Sequence, residues 1–406
     1  MTFSKRTLFA AVAIAAAGSF LLCGYEFIRA VSTSLFIEAY GKENLPWVMA
    51  AIFPGVYLMI YIYGRLLSWF GARGALVITS FLSAAVIVAA SGMILRGYFI
   101  ATAIIYILRE AYIVVIIEQY WSFVNSTLNP KQARWINGPF CAIASMGSIT
   151  GGMLVERWAV PFGSERLLLF AAGSLIPAAI CAVIAYTVAG EPQPTEAEQD
   201  GKQGHTGLKV FSRSQYLIFT FLLILTTQVV STVIGLRFDG LVADSITHPD
   251  IRTAYYGSVY KWVGISSGLL QFIAVPLFLR WFPFQLIHLY IPLIHFVTAG
   301  LLSFSPTLRN GAAAYLIFKA LDYSFFRSGK ELFYIPLSYD ERYRAKQIID
   351  SFGYRSAKSG SGFLIGLLSI PGTMFAPIAM AMAVIWTGIV AKLTVQYQKL
   401  EERITS

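Results

Sequence analysis

The chain has 406 residues, of which 57% are hydrophobic and only 13% are charged, and its mean hydropathy is +0.65. Soluble domains carry about 25% charged residues, so this composition excludes a soluble protein and indicates an integral membrane protein. The formal net charge of +10 also occurs in proteins that bind nucleic acid, but basic residues collect on the cytoplasmic side of membrane proteins. We therefore predict a lipid-bilayer environment and no nucleic-acid partner.

Twelve apolar stretches are each about 20 residues long, which is the length that a helix needs to span the hydrocarbon core. The predicted spans lie near 7–31, 46–64, 74–95, 98–124, 135–155, 166–189, 212–236, 254–278, 284–304, 311–335, 346–370 and 374–396. With the N-terminus in the cytoplasm, most loop Lys and Arg residues fall on the inner side, as the positive-inside rule requires. An even number of spans then places both termini in the cytoplasm.

The longest polar stretch, 190–210, is rich in Pro, Gly, Gln and Glu and predicts a flexible cytoplasmic linker. It separates an N-terminal six-helix half, residues 1–189, from a C-terminal six-helix half, residues 211–406. The sequences of the two halves are weakly similar when they are aligned at one constant offset, and this alignment places Arg109 opposite Lys319. Two parallel six-helix repeats with a site at their interface are typical of the major facilitator architecture. We therefore predict an all-α integral membrane protein of that type, with twelve transmembrane helices in two six-helix pseudo-repeats.

Small residues recur in the fifth and eleventh predicted spans. Gly147, Ser148, Gly151 and Gly152 have the spacing that lets two helices approach closely in lipid, and the segment 359–362 repeats the pattern. One interpretation is plain helix packing. The other is that these helices also slide past one another during a conformational change.

Ionisable residues lie inside several predicted spans, where each charge costs several kcal/mol unless it is paired or faces water. The acidic ones are Glu26, Glu110, Glu118, Asp322, Glu331 and Asp350. The basic ones are Arg29, Arg109, Arg237, Lys261, Lys319, Arg327, Lys330, Arg355 and Lys358. The excess of basic residues predicts a cavity that concentrates anions, and Lys and Arg are the side chains that clamp phosphate and carboxylate groups.

Helical spacing predicts how some of these charges pair. The expected i,i+3 or i,i+4 pairs are Glu26 with Arg29, Asp322 with Lys319, and Glu331 with Arg327. Lys330 lies only about 20° from Lys319 on one helix face at 100° per residue, and it has no obvious partner. Arg355 and Lys358 likewise have no acidic neighbour within their predicted helix.

We predict two functional groups among these ionisable residues, one basic and one acidic. The predicted substrate-binding residues are Arg29, Arg109, Lys319, Lys330, Arg355 and Lys358. The predicted charge-pairing or coupling residues are Glu26, Glu110, Glu118, Asp322, Glu331 and Asp350. The alternative is that the charges form only internal salt bridges that hold the bundle together.

Aromatic residues make up 15% of the chain, and several lie beside the charged positions, for example Tyr25, Tyr260 and Tyr323. Such rings can stack a nucleobase, but membrane packing and interface belts also explain aromatic residues in this setting. Lys358 precedes a serine without the upstream glycine spacing of a phosphate-binding loop. The four histidines and three cysteines form no metal-binding pattern. We predict a protein without enzymatic activity, cofactor or metal.

The end of the tenth span and the start of the eleventh resemble the ATP/ADP translocase family, the nucleotide transporters of plastids and intracellular bacteria. Residues 330–337 read Lys-Glu-Leu-Phe-Tyr-Ile-Pro-Leu, and Lys346 and Ile349-Asp350 follow. Residues 355–360 then read Arg-Ser-Ala-Lys-Ser-Gly. The first half matches more thinly, through Tyr25 to Arg29 and through the Trp-Ser-Phe-Val-Asn of residues 121–125.

The resemblance implies a carrier that exchanges nucleotides, commonly ATP for ADP, across a membrane. Two departures stand out. Ser32 and Thr33 occupy the positions where the family carries Lys-Asp, and Ser231 occupies the position of an expected acidic residue in the seventh span. Glu110 aligns with the acid that the family carries in its fourth span. Because these positions carry no charge here, an alternative to ATP/ADP exchange is that the chain is a relative of the family with a different anionic substrate.

The resulting hypothesis is a monomeric transporter of an anionic, phosphorylated, nucleotide-type small molecule in a bacterial inner membrane, working by alternating access. One alternative is a proton-coupled carrier of another organic anion, with Glu118 or Asp350 as the proton site. A further alternative is a lipid flippase or a membrane partner subunit that transports no small molecule.

Overall fold

The computed structural model of the protein describes residues 5–127, 130–190, 214–334, 336–337, 349 and 353–405, with side chains outside 125–140 and 401–405. All regular secondary structure within these ranges is helical. Nearly all of the predicted linker 190–210 and the predicted coupling residue Asp350 lie outside the described residues. The division of the chain into halves 1–189 and 211–406 stays a prediction.

The chain forms two compact units, of which the first contains residues 1–195 together with 246–265. Its helices are α1 (Lys5–Tyr40), α2 (Leu45–Ala50), α3 (Ile52–Leu95), α4 (Ile100–Thr127), α5 (Pro130–Phe162), α6 (Ser164–Ala189) and the first part of α8 (Pro249–Leu269). Helix α1 is central in this unit, because it packs against α4, α5 and α6. Its buried residues are largely small, such as Ala10, Ala17 and Ala30, which brings the neighbouring helices close.

The second unit contains residues 196–245 and 266–406. Its helices are α7 (Gln215–Ser245), the last part of α8, α9 (Val275–Trp281), α10 (Phe284–Phe304), α11 (Leu308–Leu321), α12 (Arg327–Phe333), α13 (Tyr354–Leu367) and α14 (Phe375–Thr405). Helix α7 packs against α11, α13 and α14, and α10 packs against α11 and α14. Thr307 caps α11, since its side chain accepts a hydrogen bond from the Asn310 backbone N–H.

Eight helical stretches among the described residues are long and apolar enough to cross a membrane. The stretch Lys42–Leu95 has 54 residues and breaks at Gly71, whose φ of 68° suits glycine. Large apolar side chains are exposed along the helices, for example Trp281 at 70% and Phe304 at 89%. Such exposure is expected where the surrounding solvent is lipid. The chain is therefore a multi-pass membrane protein, while the predicted number of twelve spans stays a prediction.

Two π-helical turns interrupt helices of the second unit. One joins α8 to α9 at Leu270–Ala274, and the other joins α11 to α12 at Asp322–Phe326; the two turns contact each other. A π turn holds one residue more than an α-helical turn and occurs frequently at functional sites. Side chains that follow the Asp322–Phe326 turn are therefore rotated by roughly 100° from the direction that α-helical periodicity predicts.

The small residues predicted to bring helices together do so in the first unit. Gly147 and Gly151 of α5 face the backbone of α1 at Ser19 and Cys23. A Cβ atom on Gly152 would lie 2.7 Å from the Lys261 backbone nitrogen of α8. Its counterpart on α8, Gly257, would meet the α5 backbone at the same distance. Close helix packing by this motif is confirmed for α5.

Replacing Gly152 with alanine is expected to lower the free energy of unfolding by about 1–3 kcal/mol, because the added methyl group must push two backbones apart. Unfolding of the purified protein in detergent measures this change. The matched control is Gly92→Ala in α3, where a Cβ atom would meet nothing within 4 Å and the higher helix propensity of alanine is free to act. Equal stability of the two variants would contradict the close contact.

Candidate functional site

The charged cluster of the first unit begins with an ion pair on α1. Arg29 Nη1 lies 3.5 Å from Glu26 Oε2, which confirms the predicted pair. The Glu26 side chain is buried and also accepts a hydrogen bond of 2.5 Å from Ser148 Oγ of α5. Ser148 is one of the small residues of the packing motif, so the motif also supplies a polar partner to a buried carboxylate.

Aromatic rings hold the guanidinium group of Arg29. Its Cζ lies 3.8 Å from the ring centroid of Tyr260 on α8 and 6.0 Å from that of Tyr25. The Tyr260 ring is itself stacked on Tyr256, with centroids 5.8 Å apart. A cation over a ring is attracted by the ring quadrupole without losing its charge. Arg29 is therefore oriented by the ring of Tyr260 on α8 as well as by its ion pair with Glu26.

Arg109 of α4 donates mainly to the backbone and hydroxyl groups of α1. Its Nη1 donates to the Arg29 carbonyl oxygen at 2.8 Å, to Ser32 Oγ at 2.8 Å and to Thr33 Oγ1 at 2.5 Å. The guanidinium also lies 3.7 Å from the Tyr106 ring centroid. Arg109 is only 5% exposed. Arg109 thus fixes the backbone of α1 at Arg29.

The two acidic residues predicted on α4 occupy different environments. Glu110 lies 3.6 Å from Arg109 Nε and is mostly buried. Glu118 is exposed two turns further along the helix. The structure therefore brings Glu26, Arg29, Arg109 and Glu110 together and leaves Glu118 outside this cluster. Two arginines face two carboxylates, so the cluster is balanced in charge.

In the second unit, Lys319 of α11 is held by a hydroxyl and by aromatic rings. Its Nζ donates to Ser231 Oγ of α7 at 3.0 Å. The rings of Tyr315, Phe318 and Tyr323 surround it, with centroids 5.4 to 5.8 Å from Nζ. None of these groups carries a negative charge. The Lys319 ammonium is therefore positioned without being neutralised.

The pairing of Asp322 differs from the prediction. Asp322 starts the π turn, and its Oδ2 lies 3.9 Å from Arg327 Nη2. Its Oδ1 is buried and has no hydrogen-bond partner. The predicted partner, Lys319, donates to Ser231 instead. The extra residue of the π turn explains the change, because it rotates the residues around it away from their α-helical neighbours.

The environment of Lys330 on α12 also differs from the prediction. Its Nζ lies 3.5 Å from Glu331 Oε1, whereas α-helical spacing left Lys330 without a partner and assigned Glu331 to Arg327. The Lys330 side chain is only 7% exposed, while that of Glu331 is 47% exposed. The rings of Tyr334 and Tyr354 lie 6.0 and 5.4 Å from Lys330 Nζ. Lys330 is therefore a buried cation whose acidic partner is about half exposed.

Arg355 and Lys358 lie three residues apart in the first turn and a half of α13, so they share one face of the helix. Both are partly buried and both make contacts. Of the site residues described in the second unit, five are basic, namely Lys319, Arg327, Lys330, Arg355 and Lys358. Two are acidic, namely Asp322 and Glu331. The positive charge of the predicted site thus lies on this unit.

Several partners of the charged residues were not predicted. Tyr106 and Tyr315 lie three and four residues from a cation on the same helix, and this spacing was a usable signal. Ser231 and Tyr354 reach their lysines from another part of the chain, which no local pattern reveals. Within the described ranges, no group of three or more His, Cys, Asp or Glu residues is placed to hold a metal ion.

Comparison with solved structures identifies the fold. The chain resembles a D-xylose–proton symporter with a TM-score of 0.70 at 14% identity, covering 94% of this chain and 96% of that chain. It resembles a bacterial homologue of the iron transporter ferroportin with a TM-score of 0.65 at 13% identity, covering 93% and 98%. The nucleoside transporter NupG gives a TM-score of 0.60 at 15% identity, covering 96% and 99%. The fold is that of the major-facilitator-like transporters, as predicted.

Comparison of sequences identifies the relatives. Residues 307–404 match the family model described as TLC ATP/ADP transporter. The ADP,ATP carrier protein 1 of Chlamydia trachomatis serovar D is 21% identical over 339 residues, covering 72% of this chain and 64% of that carrier. The carrier of the same name from Chlamydia pneumoniae is 24% identical over 355 residues, covering 76% and 68%. The predicted resemblance is confirmed, and the chain spans about two thirds of the length of these relatives.

Proposed function

We propose that the chain carries an anionic, phosphorylated small molecule of the nucleotide type across a bacterial inner membrane by alternating access. One observation carries this proposal. The family match at 307–404 falls on the part of the chain that holds Lys319, Lys330, Arg355 and Lys358, four of the predicted substrate-binding residues. Relatives named ADP,ATP carriers support a nucleotide as the substrate class. In this proposal the protein is a monomeric carrier with both termini in the cytoplasm.

Lys330, Arg355 and Lys358 are the proposed phosphate ligands of the second unit, with Lys319 as a further cation of that unit, and Arg29 is the proposed substrate-binding residue of the first unit. Cation–π contacts suit this role, because they orient an ammonium or guanidinium group and leave its charge for the substrate. Lys and Arg bind phosphate oxygens through charge-assisted hydrogen bonds, each worth about 1.5–3 kcal/mol. Arg109 supports the site through α1 and the position of Arg29.

The ion pairs provide a way to couple binding to conformational change. Glu331 is 47% exposed, so its pair with Lys330 contributes no more than about 1 kcal/mol. A phosphate group can replace this carboxylate at Lys330 at little cost, since the carboxylate returns to water. The pair of Glu26 and Arg29 is buried and is harder to open. Alternating access requires two conformational states. Substrate binding shifts the equilibrium between them only if replacing a carboxylate with a phosphate group is more favourable in one state than in the other.

Three hydroxyl groups favour a substrate that differs from the ATP/ADP pair of the resembled family. Ser32, Thr33 and Ser231 stand where that family carries charged residues, and in this structure they accept hydrogen bonds from Arg109 and Lys319. The neutral partner Ser231 leaves Lys319 with more positive character than an ion pair would. The proposal therefore includes nucleotides and other phosphorylated anions, with a proton-coupled organic-anion carrier as the alternative function.

We expect counterflow of nucleotide in proteoliposomes. Vesicles loaded with an unlabelled nucleotide should take up the labelled compound from outside, and empty vesicles should take up only a background amount. A panel of nucleoside mono-, di- and triphosphates, with inorganic phosphate, measures the preference. Uptake that requires a pH gradient and ignores internal nucleotide would establish the proton-coupled alternative. Absence of uptake for every compound, from protein that is folded by size and unfolding temperature, would overturn the transport proposal.

A further inference from the structure

Arg237 of α7 is a membrane-embedded cation that the proposed site does not use. It is partly buried, and its Nε is fully buried without a hydrogen-bond acceptor. Among the residues that the structure describes, Arg237 forms no ion pair with a carboxylate. This environment contrasts with that of Arg252, which bonds to Glu38 and to three backbone carbonyls.

An unpaired, partly desolvated guanidinium is energetically costly within a membrane protein. Arg side chains near helix ends avoid this cost when the charged group reaches the polar interface. Arg237 precedes the end of α7 at Ser245 by eight residues, which corresponds to about 12 Å along the helix. Its buried Nε shows that the group is not simply extended into water. An anion bound beside Arg237 would give Nε an acceptor.

The guanidinium faces the turn that precedes α14. A Cβ atom on Gly372 would lie 3.7 Å from Arg237 Nη1. This glycine begins a 3₁₀ turn, Gly372–Met374, which continues into the 31-residue helix α14. The preceding residue, Pro371, provides no side-chain cap. The N-terminal end of a helix carries a partial positive charge and favours anions. Two positive features therefore converge at one place.

The position of Arg237 relates it to the lysine of the proposed site. Ser231, which accepts a hydrogen bond from Lys319, precedes Arg237 by six residues on α7, or about 9 Å along the helix. Phe238, the neighbour of Arg237, stacks on Tyr315 with centroids 4.7 Å apart. Tyr315 in turn lies beside Lys319. Arg237 therefore lies about two helical turns beyond the level of Lys319, towards the C-terminal end of α7.

From these observations we propose that Arg237 and the Gly372 turn form a binding site for a phosphate group. A monoanionic or dianionic phosphate supplies the acceptor that Nε lacks and further oxygens for a charge-assisted contact with the guanidinium. Two sources share this chemistry: the phosphate of the transported solute, and the headgroup of an anionic lipid. The first source rests on the proposed function, since it makes Arg237 a binding station on the route to Lys319. The second does not depend on transport.

Binding to the full-length protein tests the proposal directly. Purified protein in detergent is titrated with inorganic phosphate and with ATP, at constant ionic strength, and the bound amount and the unfolding temperature are followed. The protein is also placed in nanodiscs of phosphatidylglycerol or of phosphatidylcholine. Native mass spectrometry then measures how much of each lipid stays bound to the protein. The variants are Arg237→Gln and Gly372→Ala. The control is Arg309→Ala, which removes an exposed cation at the start of α11.

Arg237→Gln is expected to weaken binding of phosphate, ATP or phosphatidylglycerol by tenfold or more, as loss of a charge-assisted hydrogen bond predicts. Without ligand, this variant should unfold at the same or a higher temperature than the parent protein, because an unpaired buried charge is removed. Gly372→Ala should weaken binding less, and Arg309→Ala should leave it unchanged. Loss of phosphate and ATP binding identifies the solute as the source, and loss of lipid retention identifies the headgroup.

Unchanged binding of all three ligands in Arg237→Gln would overturn the proposal. A lower unfolding temperature of this variant in the absence of ligand, with ligand binding retained, would show that the arginine has only a structural role. Both readouts are independent of transport. A failure of nucleotide counterflow would therefore leave this test intact, and a failure here would leave the proposed function standing.

Discussion

Replacing Lys330 with alanine is expected to abolish nucleotide counterflow while the protein remains folded. Lys330 is a buried cation held beside Tyr334 and Tyr354, so its loss removes charge-assisted contacts to phosphate worth about 1.5–3 kcal/mol each. This corresponds to a loss of tenfold or more in apparent affinity. Its partner Glu331 is largely exposed and can be hydrated once the lysine is gone. Initial rates of counterflow across a range of substrate concentrations measure the effect.

Two further variants separate charge from geometry at this position. Lys330→Arg keeps the charge and should retain part of the activity, although a planar guanidinium does not fit every ammonium site. Lys358→Ala should behave as Lys330→Ala does, because Lys358 is a proposed ligand of the same phosphate groups. The control Arg309→Ala changes net charge equally, outside the site. Rates equal to those of the parent protein in both lysine variants would contradict the assignment of the phosphate ligands.

Replacing Arg109 with alanine is expected to reduce both stability and transport. The change leaves Glu110 without its cation and removes three hydrogen bonds to α1. Removing one partner of a buried ion pair costs about 3–5 kcal/mol of folding free energy. Transport should fall as well, because the α1 backbone at Arg29 loses its anchor to α4. Unfolding in detergent and counterflow of the same preparation measure the two effects.

The pair Thr33→Val and Thr33→Ser distinguishes positioning from general destabilisation. Valine has nearly the shape of threonine without the hydroxyl group, so it removes one acceptor of Arg109 and should raise the KM of counterflow more than it lowers the maximal rate. Serine retains the hydroxyl and should restore the KM. If valine and serine gave the same KM as threonine, the hydrogen bonds of Arg109 to α1 would have no part in substrate affinity.

Composition and periodicity were sufficient to predict a membrane-embedded, all-α protein, because the cost of burying backbone polar groups in lipid permits few other structures. The pair of Glu26 and Arg29 was also predictable, since both residues lie on one uninterrupted helix. The small residues of α5 indicated close packing before any partner was known. The family resemblance depended on a continuous block of sequence, 330–360, and needed no structure.

The tertiary structure decided which partners the charged residues have. The π turn at Asp322–Phe326 inserts a residue that α-helical spacing does not anticipate, and Asp322 pairs with Arg327 across this turn instead of with Lys319. Ser231, Tyr260 and Tyr354 approach Lys319, Arg29 and Lys330 from distant parts of the chain. Such contacts depend on how helices pack and not on local spacing. The same packing leaves Arg237 beside Gly372 without an acidic partner in the described part of the chain, which only the folded arrangement reveals.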